Sequence, residues 1–143
     1  MLKVRTYLAA SPIHGIGLFA DEDIPRGTVV WEFNHRVDLI FTPEEWKSIG
    51  ASISAPSFAA LKRYSYKERG NHYLCLDNAQ FMNHSSQWYN VENNGEENRM
   101  LACSDIRKYD ELLCNYFHYS DCDDEHVQYL RQGGRCQDRD GAV

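Results

Sequence analysis

Turn-forming residues divide the first third of the sequence into short extended segments. The segments VRTYLAA, LFA and TVVWEF are separated by SPIHGIG and DEDIPRG. Pro25 fixes one backbone angle and Gly27 permits the reverse, so a turn is predicted between them. Residues 29–33 combine β-branched and aromatic side chains, which favour a strand over a short helix. These patterns predict a strand-rich domain built from short strands.

Helix signals begin at Thr42. This residue is a suitable N-cap, and the following PEE places a proline at the first helical position and two acidic residues near the positive end of the helix. Gly50 marks the predicted end, and a second, weaker helix is predicted over residues 58–63. Strand signals return in HYLCLD, RMLACSDI and ELLCNYF, and residues 123–131 predict a short helix in the tail.

A length of 143 residues corresponds to one domain. The hydrophobic fraction of 43% is enough for a closed core. We expect a single domain over residues 1–143, with a core at about 4–117, a helical insertion at about 42–70 and a tail at 118–143.

The formal net charge of −6 argues against a protein that follows nucleic-acid phosphates, because such proteins concentrate Lys and Arg on one face. An acidic surface suits a basic partner, although the same charge also serves solubility alone. Both interpretations stay open. No apolar run is long enough to span a bilayer, so neither a nucleic acid nor a membrane is expected as a partner.

The cysteines predict free thiols in a soluble intracellular protein, in the cytoplasm or, for a eukaryotic or viral chain, the nucleus. Their number, five, is odd, and no apolar signal segment precedes them. Cys122 and Cys136 lie fourteen positions apart without a C-x-C or C-x-x-C pair. A tetrahedral zinc site cannot be assembled from this tail, so no metal is expected.

Four segments together resemble the SET-domain family of protein-lysine methyltransferases. They are HGIGLFA followed by DIPRGTVVWEF, then YLCLD, then QFMNHSSQWYN, and finally ACSDIRKYDELLCNYF. A G-x-G alone is more often a simple turn between strands. Asn-His-Ser after an aromatic-rich segment is far more specific, and the order and spacing match over residues 11–117.

The resemblance implies a mostly β fold, the β-clip. Its short, curved antiparallel sheets carry a helical insertion and a short C-terminal helix, and the segment that ends at Tyr116 is threaded through a loop as a pseudoknot. It also implies transfer of methyl groups from S-adenosyl-L-methionine to a lysine side chain of a protein or peptide, either a histone or another basic protein. The zinc-binding cysteine cluster of many relatives is missing, which is similar to minimal stand-alone forms. A homodimer stays open.

The resemblance also assigns roles to individual residues. Tyr116 takes the catalytic position, where its hydroxyl would orient the methyl group. The cofactor-binding positions fall on Gly15, Ile16, Gly17, Tyr73, Asn83 and His84. The walls of the substrate-lysine channel fall on Tyr73, Cys114, Phe117 and Tyr119.

The chemistry of these residue types agrees with those roles. Gly15 and Gly17 lack Cβ atoms, so the backbone there can approach a ligand closely. Asn83 offers a donor and an acceptor to the methionine end of the cofactor. In the alternative interpretation, Asn83 and His84 only satisfy neighbouring backbone groups in a buried turn. Cys114 is smaller than the aromatic residue that the family often has there, which predicts products beyond monomethyl-lysine.

The sequence departs from the family pattern in several places. Ser86 replaces the usual cysteine, Asn115 replaces the aspartate before the catalytic tyrosine, and Tyr109 or Asp110 takes the place of a turn glycine. Two rival functions remain: a catalytically silent SET-like module that binds peptide or protein, and methylation of a group other than a lysine side chain.

Overall fold

Short strands in small sheets dominate the computed structural model, which describes residues 1–94 and 98–133. The described strands are β1 (Thr6–Ala10), β2 (Ile16–Ala20), β3 (Val29–Glu32), β4 (Leu39–Phe41), β5 (Ser65–Glu68), β6 (Asn71–Leu74), β7 (Asn83–His84), β8 (Val91–Asn94), β9 (Arg99–Ala102) and β10 (Leu113–Cys114). The helices are α1 (Pro43–Ser52), α2 (Ala55–Tyr64) and α3 (Glu125–Arg131), with 3₁₀ turns at Asn78–Phe81 and Tyr116–His118. The predicted mostly β architecture is confirmed. Within the described ranges, none of the helices has the length and apolar character that a membrane crossing requires.

The strands form three separate sheets. β1 and β2 are an antiparallel pair, β4, β6 and β5 form an antiparallel sheet in that order, and the third sheet has the order β3-β9-β8-β10-β7. β10 pairs in parallel with both β7 and β8, so it is inserted between two strands that precede it in the chain. Strands β7 and β8 therefore hold the segment before Tyr116 on both sides.

The core lies beneath the β1–β2 pair and the five-stranded sheet. Its buried members are Leu18, Ala20, Ile24, Val30, Met82, Val91, Ala102, Ile106, Leu112 and Cys114. They come from segments distributed over most of the chain, and burial of each large aliphatic side chain contributes about 1.5–3 kcal/mol. The core therefore fixes the positions of β7 and β10, the two strands that lead into the site.

The first helix of the insertion begins as predicted and ends later. The Thr42 hydroxyl accepts a hydrogen bond from the Glu45 amide at 3.2 Å, and the Glu45 carboxylate accepts one from the Thr42 amide at 2.8 Å, which is a complete capping box. The predicted stop at Gly50 is wrong, because α1 continues to Ser52. A Cβ atom at Gly50 would lie 2.7 Å from the Phe58 ring, so this glycine serves the close packing of α2 on α1.

The tail is attached to the three-stranded sheet through backbone amides. Asp124 is buried and caps α3 by accepting hydrogen bonds from His126 N and Val127 N, at 2.8 and 3.2 Å. The same carboxylate accepts a hydrogen bond from Lys67 N in β5 at 2.6 Å. Three backbone donors on two elements thus depend on one side chain.

Two further residues join the tail to the sheet. Asp121 accepts hydrogen bonds from the amides of Arg69 and Gly70, both at 2.8 Å. The His126 ring lies 3.2 Å from the Lys62 carbonyl and 3.1 Å from the Ser65 carbonyl, through its Nε2 atom. These contacts hold α3 against the end of α2.

Asp124→Ala should lower the free energy of unfolding by about 2–3 kcal/mol, since it removes a helix cap and leaves buried amides without acceptors. Urea unfolding measures the loss, and hydrogen exchange should show that amides of α3 lose protection first. Asp123→Ala is the matched control, because the Asp123 carboxylate is exposed and its ion pair is with the Lys67 ammonium. Equal effects of the two substitutions would contradict this account of the tail.

Candidate active site

Two adjoining cavities lie between the turn that contains Gly15 and Gly17 (the glycine turn), the helical insertion and the tail. The wide cavity, about 910 Å³, is bounded by the turn at Gly15, by β7 and by one side of α3. The narrow cavity, about 80 Å³, has many aromatic and sulfur-containing side chains in its wall. The walls of both cavities share Arg63, Tyr64, Gln80, Tyr116 and His126.

The glycine turn contributes one open position and one packed position. Gly15 has a φ of 52° and no atom within 4 Å of the place a Cβ would take, so it lines the wide cavity with bare backbone. Gly17 differs, because a Cβ there would lie 2.2 Å from Glu111 Oε1. The absent side chain at Gly17 makes room for a buried carboxylate, and this residue does not line either cavity.

Asn83 attaches the glycine turn to the centre of the fold. Its amide nitrogen lies 3.0 Å from the His14 carbonyl, 3.3 Å from the Ile16 carbonyl and 2.9 Å from Glu111 Oε1. Two N–H groups are therefore shared among three acceptors. Asn83 lines the wide cavity, but its donor atoms are committed to positioning the turn. This is the arrangement that the alternative interpretation of Asn83 described.

Glu111 is a buried residue beside the glycine turn that the sequence interpretation missed. It is 1% exposed, and within the described part of the chain its Oε2 atom has no hydrogen-bond partner. Its other oxygen accepts the hydrogen bond from Asn83. An acidic residue that opens the apolar run ELLC was the available signal, since a buried carboxylate requires nearby donors.

Tyr116 lies at the boundary between the cavities, with both its backbone and its hydroxyl held. Its amide donates a hydrogen bond to His84 Nδ1 at 3.1 Å, and its hydroxyl donates one to the Met82 carbonyl at 2.8 Å. The ring centroids of His84 and Tyr116 are 5.1 Å apart. The His84 side chain, and not its backbone alone, therefore supports the position of Tyr116.

Comparison with known proteins decides the family. The sequence model of the SET domain matches residues 15–117. The chain belongs to the SET domain family. No curated protein matches the chain by sequence.

Solved structures show the same fold. One is a candidate histone methyltransferase of Plasmodium falciparum, 23% identical, with a TM-score of 0.53 over 80% of this chain and 95% of that chain. Another is a humanized mutant of the Chaetomium thermophilum Polycomb Repressive Complex 2 bound to an inhibitor, 20% identical, with a TM-score of 0.58 over 82% of this chain and 16% of that chain. This SET domain thus spans nearly all of the first structure and a small part of the second.

Around Cys114 and Tyr119, the wall of the narrow cavity of this SET domain is uncharged. The Cys114 thiol lies 3.5 Å from the Tyr119 hydroxyl, and the Tyr119 ring meets Tyr66 edge to face at 5.3 Å. Burial raises the pKa of Cys114 to about 12 and the pKa of Tyr119 well above its usual value. All of these groups are neutral at physiological pH. Tyr66, on β5, was missed because no strand was predicted at residues 65–68.

Two predicted channel residues lie elsewhere. Tyr73 is buried behind Tyr66, with the rings stacked at 5.2 Å, and lines neither cavity. Phe117 packs edge to face on His84 at 4.9 Å and beneath the Arg131 guanidinium at 5.9 Å, also outside both walls. The structure brings together Cys114, Tyr116 and Tyr119 in the wall of the narrow cavity, while Tyr73 stacks on Tyr66 and Phe117 packs on His84.

The backbone angles of the turn before Glu111 show which residue takes the place of the family glycine. Tyr109 has a φ of 78°, in the left-handed region, so it takes that position and Asp110 does not. Its ring is exposed and lies beneath the Lys108 ammonium at 5.0 Å.

The described residues contain no group of three or more His, Cys, Asp or Glu side chains that could hold a metal. Cys136 lies outside the described residues, so the expectation that the tail binds no zinc stays a prediction.

Asn83→Ala should lower the free energy of unfolding by about 1–3 kcal/mol, because it leaves Glu111 and the carbonyls of the glycine turn without their donor. Urea denaturation measures this loss. Asn78→Ala is the control, since Asn78 is exposed at the start of a 3₁₀ turn and should tolerate truncation. A change at Asn83 no larger than at Asn78 would show that the network does not stabilise the fold.

Proposed function

We propose that this SET domain transfers methyl groups from S-adenosyl-L-methionine to a lysine side chain of a protein. The observation that supports the proposal most strongly is the hydroxyl of Tyr116, held at 2.8 Å from the Met82 carbonyl in the wall that two cavities share. A reaction between two molecules that arrive from different sides requires such a shared boundary.

The wide cavity fits a nucleoside cofactor with a charged amino-acid end. Its wall includes the bare backbone at Gly15, which can approach a ligand closely. Ile16, Gln80, His84 and Tyr116 also line this cavity. When bound, S-adenosyl-L-methionine would supply an electrophilic methyl group on a sulfonium.

The narrow cavity fits the side chain of a lysine. Free lysine has a pKa of about 10.4 and must lose a proton before its nitrogen can attack. A wall of neutral groups such as Cys114 and Tyr119 disfavours the ammonium form by desolvation. The Tyr116 hydroxyl at the boundary would orient the reacting groups and not act as a strong base.

A basic protein, such as a histone, is the substrate class that we propose. The net charge of −6 favours a partner rich in Lys and Arg over a nucleic acid. The rival function, a silent module that binds peptides, requires no positioned hydroxyl at the cavity boundary. The partly buried, hydrogen-bonded Tyr116 therefore favours activity.

The function is tested in two steps. Calorimetric titration with S-adenosyl-L-methionine should show binding, and incubation with labelled cofactor and an array of lysine-containing peptides should transfer label to lysine. Cofactor binding without transfer to any peptide or extract protein would favour the silent module. Absence of cofactor binding would contradict the proposal altogether.

Tyr116→Phe should keep the fold and cofactor binding while the rate of methyl transfer falls about a hundredfold or more, as for other positioned transition-state groups. The removed hydroxyl bond to Met82 makes only a small contribution to stability. Steady-state kinetics with matched urea unfolding separate these effects. Tyr109→Phe is the control, because that ring is exposed and lines neither cavity. Near-normal turnover by Tyr116→Phe would remove this residue from the catalytic role.

Tyr119→Phe should shift the products toward more methyl groups. The Tyr119 hydroxyl occupies space beside the small Cys114 side chain, at 3.5 Å from its sulfur, so its removal enlarges the narrow cavity. Mass spectrometry of a peptide after prolonged reaction measures the ratio of mono-, di- and trimethylated products. An unchanged ratio would show that the hydroxyl does not limit the reaction.

A further inference from the structure

Glu68 is a buried carboxylate in the wall of the narrow cavity. Its side chain is 9% exposed, and it lies on β5 two residues after Tyr66, on the same face of the strand. Both residues line the narrow cavity. Among the described residues that line this cavity, Glu68 is the acidic one, and Arg63 in the same wall is exposed.

The carboxylate of Glu68 has little compensation from the protein. Within the described part of the chain its ion-pair partner is the Arg69 Nε atom, at 3.9 Å, which is beyond hydrogen-bonding distance. Burial raises the pKa of Glu68, while Arg69 opposes that shift. A carboxylate that lines a cavity and has only one distant cation attracts a positively charged ligand.

The position of Glu68 along the cavity is also informative. The residues common to both cavities include Tyr116 and exclude Glu68, which lines the narrow cavity alone. The carboxylate therefore lies away from the boundary at which the methyl group would be transferred. A carboxylate beside the reacting nitrogen would oppose deprotonation, whereas one farther away attracts the charged form first.

We propose that the Glu68 carboxylate binds the ammonium group of the target lysine as that side chain enters the narrow cavity. The inference rests on the proposed function, because the cavity, at about 80 Å³, suits one extended side chain and the substrate of that function is lysine. Glu68 is thus a specificity-determining residue that acts before the amine reaches Tyr116.

The first test uses a small probe that requires no catalysis. Binding of n-butylammonium, which reproduces the lysine side chain, is measured by protein NMR with n-butanol as the uncharged control. The wild-type protein should bind the ammonium at least about tenfold more tightly than the alcohol, as expected for a charge-assisted hydrogen bond. Glu68→Gln should abolish that preference, while Glu92→Gln, which removes an exposed carboxylate, should retain it. Equal preference in wild type and Glu68→Gln would overturn the inference.

The second test uses a peptide that the wild-type protein methylates, together with a counterpart in which norleucine replaces the target lysine. Binding of the lysine peptide should weaken about tenfold or more in Glu68→Gln, while binding of the norleucine peptide should change little. KM for the lysine peptide should rise with kcat nearly unchanged, because Glu68 acts before the chemical step. If Glu68→Gln weakens both peptides equally, the carboxylate recognises another part of the substrate and the inference is wrong.

The dependence of Tm on pH reports the free-energy cost of the charge on Glu68 in the folded protein. The groups that influence this carboxylate are Arg69, Asp121 and the hydroxyls of Tyr66 and Tyr73. Because its pKa is raised in the folded state, ionisation of Glu68 costs stability as the pH rises above the unfolded value of about 4.3. Glu68→Gln should therefore raise Tm near pH 8 and have little effect at about pH 4. A lower Tm at both pH values would show that the carboxylate is a structural group, against the inference.

Failure of the proposed function can be distinguished from failure of the inference about Glu68. If the wild-type protein transfers no methyl group to any peptide, the proposed function fails, while the n-butylammonium measurement still decides whether Glu68 receives an ammonium. If methyl transfer is robust and the ammonium preference survives in Glu68→Gln, the function stands and the inference falls.

Discussion

The interaction on which the site depends is the contact between Asn83 and Glu111. One amide nitrogen joins the glycine turn near the start of the chain, the β7 strand and the segment that precedes β10. Gly17 completes this arrangement, because any side chain there would collide with the Glu111 carboxylate. Segments far apart in sequence thus meet around one buried carboxylate, and the turn that borders the wide cavity is held by the same hydrogen bonds that stabilise the fold.

Around this centre, α2, α3 and β5 supply the walls of the two cavities. The end of α2 and one side of α3 supply walls to the wide cavity, and Asp124 fastens α3 to β5 through backbone amides. β5 in turn presents Tyr66 and Glu68 to the narrow cavity. The tail and the insertion therefore act together, since displacement of one would alter the walls of both cavities.

The electrostatics of the narrow cavity divide it into two regions. Neutral groups such as Cys114 and Tyr119 surround the part near Tyr116, where burial keeps both protonated. Glu68 is an acidic exception in the described part of this wall, with its ion-pair partner Arg69 at 3.9 Å, and it lines only the narrow cavity. Burial raises the pKa of Glu68, and carboxylates with perturbed pKa values are concentrated at functional sites.

The sequence by itself determined the family, the strand-rich character and the elements whose signals are local. Thr42 and Pro43 act on adjacent backbone groups, so the start of α1 was readable from neighbouring residues, whereas α2 begins at Ala55, before its predicted start. The strand β4 was not predicted, because its three residues are stabilised by pairing with β6, which is distant in the sequence. The strand β8 was not predicted either, since the polar sequence VENN lacks the β-branched and aromatic side chains that favour strands. Only the tertiary structure decided that Asn83 positions the turn, that Tyr73 supports Tyr66 from behind, and that Glu68 faces the narrow cavity. Each of these depends on which side chains meet across separate sheets, and a local pattern along one chain carries no information about such meetings.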